Sequence, residues 1–259
     1  MSAKRWKRSL NPGSINPAQL NAEVHVWLAS LNRPAEYVAL LEKTLSCDER
    51  MRAERFHFDR DRRRFILGRG FLRAILGRYL ACKPDQLQFR YGAYGKPYLS
   101  AEWQSCAIQF NLSHADELAL FALTSKREIG IDVEIVQPVP QLEAIAARFF
   151  SKNEYASILS LPEKLRTERF YQFWTCKEAF IKALGNGLSH PLDQFEVSLV
   201  PGKANKLILD DCPQETGRWS LTTLKPSPGY LAALAVEGHD WQLRCGQWKG
   251  DDFLSSSLE

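Results

Sequence analysis

Two acids interrupt an otherwise apolar run, IGIDVEIV, from Ile129 to Val136. Side chains in a strand alternate between faces, so Asp132 and Glu134 point the same way. Like charges on one face repel unless a cation lies between them. A second segment, FWTCKEAFIKALGNGL (Phe173–Leu188), has a helical pattern. There Trp174, Glu178 and Lys182 recur every four residues and share a face, with Lys177 and Ile181 beside it. If this helix packs on the strand, Asp132, Glu134 and Glu178 converge. Such a trio suits a hard divalent cation such as Mg²⁺, whose other ligands are waters or phosphate oxygens. A plainer reading also fits. D-x-E strands are common, the acids can pair with some of the 34 Lys and Arg residues, and a W-x-x-x-E helix face can simply be solvated. The apolar setting favours the cation, because carboxylates left unpaired there would cost several kcal/mol.

These residues need elements to hold them. Glu23–Leu31 alternates like a strand. Ser46 followed by Glu49 has the capping-box pattern of a helix start. Arg60–Leu80 reads as a helix with Phe65, Leu72 and Leu76 on an apolar stripe. Its other face carries Arg60, Arg62, Arg63, Arg64, Arg69 and Arg73. Tyr91–Leu99 is a turn, since Gly95 and Pro97 bracket Lys96. AIQFNLSH and LALFALTS predict two strands broken at Ala115–Glu117, and IGIDVEIV a third. A helix is expected from about Gln141, another capped at Ser151 in SKNEY, and a long one over Leu165–Leu184 closed by Gly185–Gly187. Short strands follow in FEVSLV, KLILD, WSLTTL, YLAALAV and WQLRC. This order, strand–helices–strands twice over, predicts an α+β fold. It would have two similar α/β halves related by pseudo-two-fold symmetry, each a small antiparallel sheet packed with helices, with the active site between them. The expected boundaries are a flexible lead-in at 1–20, a first half at 21–126 and a second at 127–259.

Composition narrows the function. The chain has 259 residues, 45% of them hydrophobic and 25% charged, with net charge +4. That is ordinary globular composition with a mild preference for anionic partners. Cys47, Cys82, Cys106, Cys176, Cys212 and Cys245 form no CxxC pair and have no His cluster nearby, so a zinc or redox site is not expected. Scattered thiols fit a reducing cytoplasm. The basic N-terminus is followed by an Asn/Pro/Gly-rich stretch rather than a long apolar one, unlike a signal peptide. With no window of 18 apolar residues, no membrane association is expected. The arginine cluster from Arg50 to Arg73 could suggest nucleic acid. Interspersed acids and the lack of an aromatic platform argue against it.

GIDVE and, some forty residues on, FWTCKEAFIKALGNGL together resemble the paired signature of the 4′-phosphopantetheinyl transferases. The pattern is G-x-D-x-E, then W-x-x-K-E-A-x-x-K-x-x-G-x-G-L. The second match is long and dense, hence specific. YGKPYL (Tyr94–Leu99) and FNLSH (Phe110–His114) look like the family's upstream motifs, and RFFSKNEY (Arg148–Tyr155) is similar to the segment between the two main ones. The similarity spans about Glu49 to Leu188. Length and the two-half layout point to the larger monomeric branch, which includes the surfactin-synthetase activator.

The resemblance implies transfer of the phosphopantetheine arm of coenzyme A to a serine of an apo acyl or peptidyl carrier protein, releasing adenosine 3′,5′-bisphosphate. It implies Mg²⁺, with Mn²⁺ as a substitute, on Asp132, Glu134 and Glu178. Glu178 is the family's candidate for general base, with Glu134 or a metal-bound water as alternatives. Lys182 would hold the pyrophosphate. Ser113 and His114 would meet coenzyme A phosphates, His114 with a catalytic part. Lys96, with Pro97, would lie near the 3′-phosphate and adenine, Arg64 would grip the 3′-phosphate, and Arg52 is a second basic position. Lys177 would face the phosphates and Glu154 would lie near the site. Trp174 would pack the helix into the core. Phe65 departs from the pattern, standing where relatives carry a small polar residue. The alternative is a non-catalytic carrier-protein-binding module of the same fold, against which the intact acids and lysine argue.

Overall fold

The computed structural model describes residues 4–185, 191–200, 203–209 and 213–250. The chain runs β1 (Lys4–Arg5), β2 (Glu23–Ser30), α1 (Ala35–Glu42), α2 (Cys47–Glu54) and α3 (Asp59–Leu80). Then come β3 (Phe89–Tyr91), β4 (Pro97–Leu99), β5 (Ile108–Ala115), β6 (Leu118–Ser125) and β7 (Ile129–Ile135). Next are α4 (Leu142–Phe149), α5 (Lys152–Leu159), α6 (Glu163–Leu184), β8 (Glu196–Ser198) and β9 (Lys206–Ile208). The chain closes with α7 (Pro213–Thr216), β10 (Trp219–Lys225), β11 (Tyr230–Glu237) and β12 (Gln242–Gln247).

The element order repeats. Strand β2, helices ending in the 22-residue α3, hairpin β3–β4 and hairpin β5–β6 make the first half. Strand β7, helices ending in the 22-residue α6, hairpin β8–β9 and hairpin β10–β11 make the second. The sheets agree as well: β2–β6–β5 in one and β7–β11–β10 in the other, antiparallel throughout. The fold is α+β with two similar halves. The terminal strands cross over, however. β12 adds parallel to β2 of the first half, and β1 adds parallel to β10 of the second.

Three apolar cores follow from strand alternation. Ile129, Ile131 and Val133 of β7, with Leu118, Leu120 and Ala122 of β6 and Leu234 and Val236 of β11, fill the space between the sheets. The opposite faces carry the helices: Trp27, Phe71 and Phe121 in the first half, and Phe173, Phe180 and Ala233 in the second. The molecule is therefore helices, sheet, sheet, helices.

Two expectations change here. Residues 4–20 settle against the body: Leu20 is fully buried, and the backbone N–H groups of Ser9 and Leu10 donate to the Cys245 carbonyl. The arginines of α3 do not share a solvated face. Arg73 is fully buried and Arg69 nearly so, because α3 packs on both β2–β6 and α2. Gly185 ends α6 in the left-handed conformation as expected. The rest of the GNG stop, Asn186 and Gly187, and Leu188 after it lie outside the described residues.

Candidate active site

On β7 the residues alternate to Gly130, Asp132 and Glu134 on the side facing α6. Gly130 is the contact point, since a Cβ there would collide with the Ala179 carbonyl oxygen and the Ala183 backbone nitrogen. Only glycine lets the helix lie directly on the strand. That approach brings Glu178 and Lys182, one turn apart on α6, over Asp132. Lys182 Nζ donates to Asp132 Oδ1 at 2.5 Å and to Ser113 Oγ at 2.9 Å.

The cation between the acids is thus, in this structure, the Lys182 ammonium. It does not satisfy the cluster. Asp132 Oδ2 and Glu178 Oε1 are buried with no hydrogen-bond partner among the described residues. Burial, and then the neighbouring Asp132 charge, push the Glu134 carboxyl up to about 7, although the Trp174 indole donates to it. Glu178 is raised by the same two causes. Three acids sharing one lysine are short of positive charge. Among the described residues, no group of three or more His, Cys, Asp or Glu side chains is already arranged around a metal position. The donor set still fits a hard ion: two orphaned carboxylate oxygens and a carboxyl held near neutrality, all oxygen donors. Trp174 does more than pack. It stacks on Phe170 at 5.8 Å and also holds Glu134.

The seam between halves fixes the other wall. β5 and β7 are each the outermost strand of their sheet on this side and lie together without a backbone ladder. Side chains bridge them instead. Asn111 Oδ1 accepts from the Ile131 N–H at 2.9 Å, and Ser113 Oγ accepts from the Val133 N–H at 3.4 Å. Ser113 Oγ also donates to Asp132 Oδ1 at 3.0 Å. Asp132 is therefore clamped on both flanks by the first half. Asn111 lies within the FNLSH motif, but no role is expected of it from the sequence alone. It sits two residues before Ser113 and so shares its face.

Beside this seam a cleft of about 450 Å³ opens. Its walls include Arg52, Arg64, Phe65 and Arg69 from α2 and α3, and Lys96 and Pro97 from the β3–β4 hairpin. Ser113 and His114 come from β5 and Lys182 from α6. Seven of the residues expected at the nucleotide donor thus line one cavity. Their ammonium and guanidinium groups are not equally available. Arg64 pairs with Asp116 at 2.5 Å. Lys96 Nζ donates to the Ala183 carbonyl at 2.8 Å and to Glu128 at 3.2 Å, tying the first half to the negative end of α6. Burial holds the Lys96 pKa below its ordinary value. Burial, followed by Lys182 and Arg64, lowers that of His114. Phe65 stands between two cations, with the Arg52 and Arg69 guanidinia 5.4 and 5.8 Å from its ring centre.

Lys177 is not in the cleft. It is fully buried on the far side of α6, ion-paired with Glu154 at 2.9 Å and donating to the Leu192 and Phe195 carbonyls. Glu154 is equally withdrawn, capping Ser151 and accepting from Val197. One residue from Glu178 is about 100° around a helix, which turns Lys177 from the acid cluster into the core.

The chain matches two family models: "4'-phosphopantetheinyl transferase, N-terminal" over residues 32–126 and "4'-phosphopantetheinyl transferase superfamily" over residues 128–235. It is 43% identical to the 4'-phosphopantetheinyl transferase HetI of Nostoc sp., over 89% of this chain and 94% of that one. It is 33% identical to the 4'-phosphopantetheinyl transferase Sfp of Bacillus subtilis, over 76% and 84%. A solved holo-(acyl-carrier-protein) synthase from Bacillus anthracis is 23% identical with a TM-score of 0.36, over 42% of this chain and 94% of that one.

Proposed function

The chain belongs to the 4′-phosphopantetheinyl transferase superfamily, in its larger Sfp-type branch, and we propose that it takes coenzyme A as donor and apo acyl or peptidyl carrier proteins as acceptors. The carrier serine hydroxyl attacks the β-phosphorus of the donor pyrophosphate. The bond to the nucleotide-side bridging oxygen breaks, and adenosine 3′,5′-bisphosphate leaves. One observation carries this reading: an acid cluster short of cations adjoins a cationic cleft, with Lys182 lining the cleft and bonding Asp132.

Asp132, Glu134 and Glu178 would hold Mg²⁺. Bound there, the ion supplies charge neutralisation to the pyrophosphate and relief to the carboxylates. The chain's own residues do the rest. Glu178 Oε1, which lacks a hydrogen-bond partner among the described residues, accepts the hydroxyl proton. Lys182 steadies the leaving oxygen, and Ser113 keeps Lys182 and Asp132 in register. Arg52, Arg64 and His114 face the nucleotide phosphates from the cleft wall. We take the working form as a monomer, since both walls of the cleft come from one chain, and as cytoplasmic, since the free thiols fit a reducing compartment.

Incubation with coenzyme A, Mg²⁺ and several apo carriers, followed by intact mass of the carrier, tests the reading. The expected result is a gain of one phosphopantetheine arm, lost on chelation and restored by Mg²⁺ or Mn²⁺. Binding of carriers with no mass gain on any of them would favour a non-catalytic carrier-binding module. Full turnover after exhaustive chelation would remove the metal.

A further inference from the structure

Five of the seven large apolar side chains exposed among the described residues crowd one face of the first half. Met51, Phe56 and Phe58 belong to α2 and its turn into α3, and Tyr91 and Tyr94 to the β3–β4 hairpin. Phe58 is 63% exposed and Met51 52%. An exposed apolar cluster of this kind marks a contact surface. Between α2 and β3 it dips into a groove of about 630 Å³, walled by Met51, Arg52, Arg55, Phe56 and Tyr91.

Helix geometry builds this wall. Asp48, Met51, Arg52 and Arg55 follow the three-and-four spacing of one α2 face and are all exposed, while Glu49 and Ala53 are buried beneath them. The groove is basic on balance. Glu49 is already paired with Arg73 at 2.7 Å. Asp48 stands in the first turn of α2, where the helix dipole holds it. Arg52 lies 5.4 Å from the Phe65 ring centre and also lines the donor cleft. The Arg55 side chain has no partner among the described residues.

That chemistry selects the occupant. A lipid surface is flat, and an anionic one would meet Asp48, Glu54, Asp59 and Asp61 interleaved with the arginines. A second copy of this chain has net charge +4 and would bring its own basic face. The carrier comes from elsewhere: in the proposed reaction the leaving nucleotide lies in the cleft beside this groove, so the serine attacks in line from the far side of the acid centre. We propose that the groove docks a further partner protein through an acidic amphipathic helix. Its apolar row seats among Met51, Phe56 and Tyr91, and a flanking carboxylate pairs with Arg55. Phe58, on the α2–α3 turn, extends the apolar contact beyond the groove.

Fluorescence anisotropy on the full chain tests this, with a labelled helical peptide of about 18 residues that has leucines on one face and glutamates on both flanks, and a twin with lysines for the glutamates. Melting curves establish first that each variant is folded. Wild type should bind the glutamate peptide with a Kd on the order of 10 μM and the lysine twin at least about tenfold more weakly. Arg55→Glu should weaken the glutamate peptide about tenfold or more and strengthen the lysine twin. Phe58→Ser should weaken both by about threefold or more. If Phe58→Ser fails to fold, Met51→Ser takes its place. Equal binding of the two peptides, binding untouched by these variants, or no binding up to about 1 mM overturns the site. Co-sedimentation with anionic vesicles that the same variants abolish would make the face a membrane contact. A raised KM for the apo carrier in Arg55→Glu would make it the acceptor's. Either result overturns the separate partner. A wild type that modifies no carrier removes the transfer reaction and leaves the peptide result standing, because docking is read on the resting protein.

Discussion

The two halves share a plan and differ at six positions that matter. Aligned on strand pairing, His25, Trp27 and Ala29 of β2 stand where β7 has Gly130, Asp132 and Glu134. Counted along the 22-residue helices, Ala74, Arg78 and Tyr79 of α3 stand where α6 has Glu178, Lys182 and Ala183. In the second half a glycine meets an alanine, the helix lies on the strand, and the acids converge. In the first, the gap is filled. Tyr79 hydroxyl bonds His25 Nδ1 at 2.6 Å and accepts from the Trp27 indole at 2.9 Å, and the helix stands off. The same scaffold makes a charged centre where it packs closely and a plugged core where it does not.

One device has been kept in both. Arg73 and Lys177 are each the fifteenth residue of their long helix. Each is buried, each pairs with the capping-box glutamate of the preceding helix, and each donates to carbonyls of the segment that follows its own helix. This pair is structural in both halves.

The contrast can be broken at its centre. Asp132→Ala is expected to lower carrier modification by about a hundredfold to a thousandfold, the usual effect of removing one group that stabilises developing charge. The aligned change, Trp27→Leu, should cost on the order of 3 kcal/mol of stability and leave turnover per folded molecule alone. Measuring transfer and denaturant midpoint for both variants checks the pair; normal turnover by Asp132→Ala would end the assignment of the acid centre.

The shared device should respond equally in the two halves. Lys177→Met and Arg73→Met are each expected to cost about 3–5 kcal/mol, because each strands a buried glutamate. The double variant Lys177→Met, Glu154→Leu should recover much of the loss. A raised KM for coenzyme A in Lys177→Met with unchanged stability would instead put that lysine against the donor.

Packing distance is the next lever. Gly130→Ala must push α6 off β7, at about 1–3 kcal/mol, and should reduce transfer as well, since Glu178 and Lys182 ride on that helix. His25→Gly, the reciprocal change, opens a cavity and should affect stability only. Thermal melts beside initial rates separate the two outcomes.

The smallest effect concerns pH. Burial lowers the His25 pKa below its ordinary 6.5, so the native state binds fewer protons there than the unfolded chain. Its contribution is whole above about pH 6.5 and shrinks as pH falls below that value. Urea midpoints for wild type and His25→Gln between about pH 8 and about pH 5.5 should show the variant with the flatter slope. Identical slopes would mean that the imidazole is not held neutral.

Much of this was legible in the chain. Alternation in IGIDVEIV placed Asp132 and Glu134 on one face, the four-residue spacing aligned Glu178 with Lys182, and the repeated element order predicted two halves. Other features were not. Lys177 and Glu178 are neighbours in a motif, yet one lies in the core and the other in the site. Arg69 and Arg73 look like two more basic residues on a solvated helix face, and neither is solvated. The amino-terminal segment looked loose and packs on the body, and WQLRC read as a strand without showing that it joins the first half's sheet beside β2.

What the sequence determined by itself is which atoms are present and which face of its own element each one takes, because strand and helix periods are properties of the local backbone. What only the tertiary structure decided is which faces meet. The acid centre depends on a strand and a helix approaching at Gly130, and on Asn111 and Ser113 bridging two strand edges from opposite halves. Those contacts are set by packing between segments far apart in the chain, which no local period encodes.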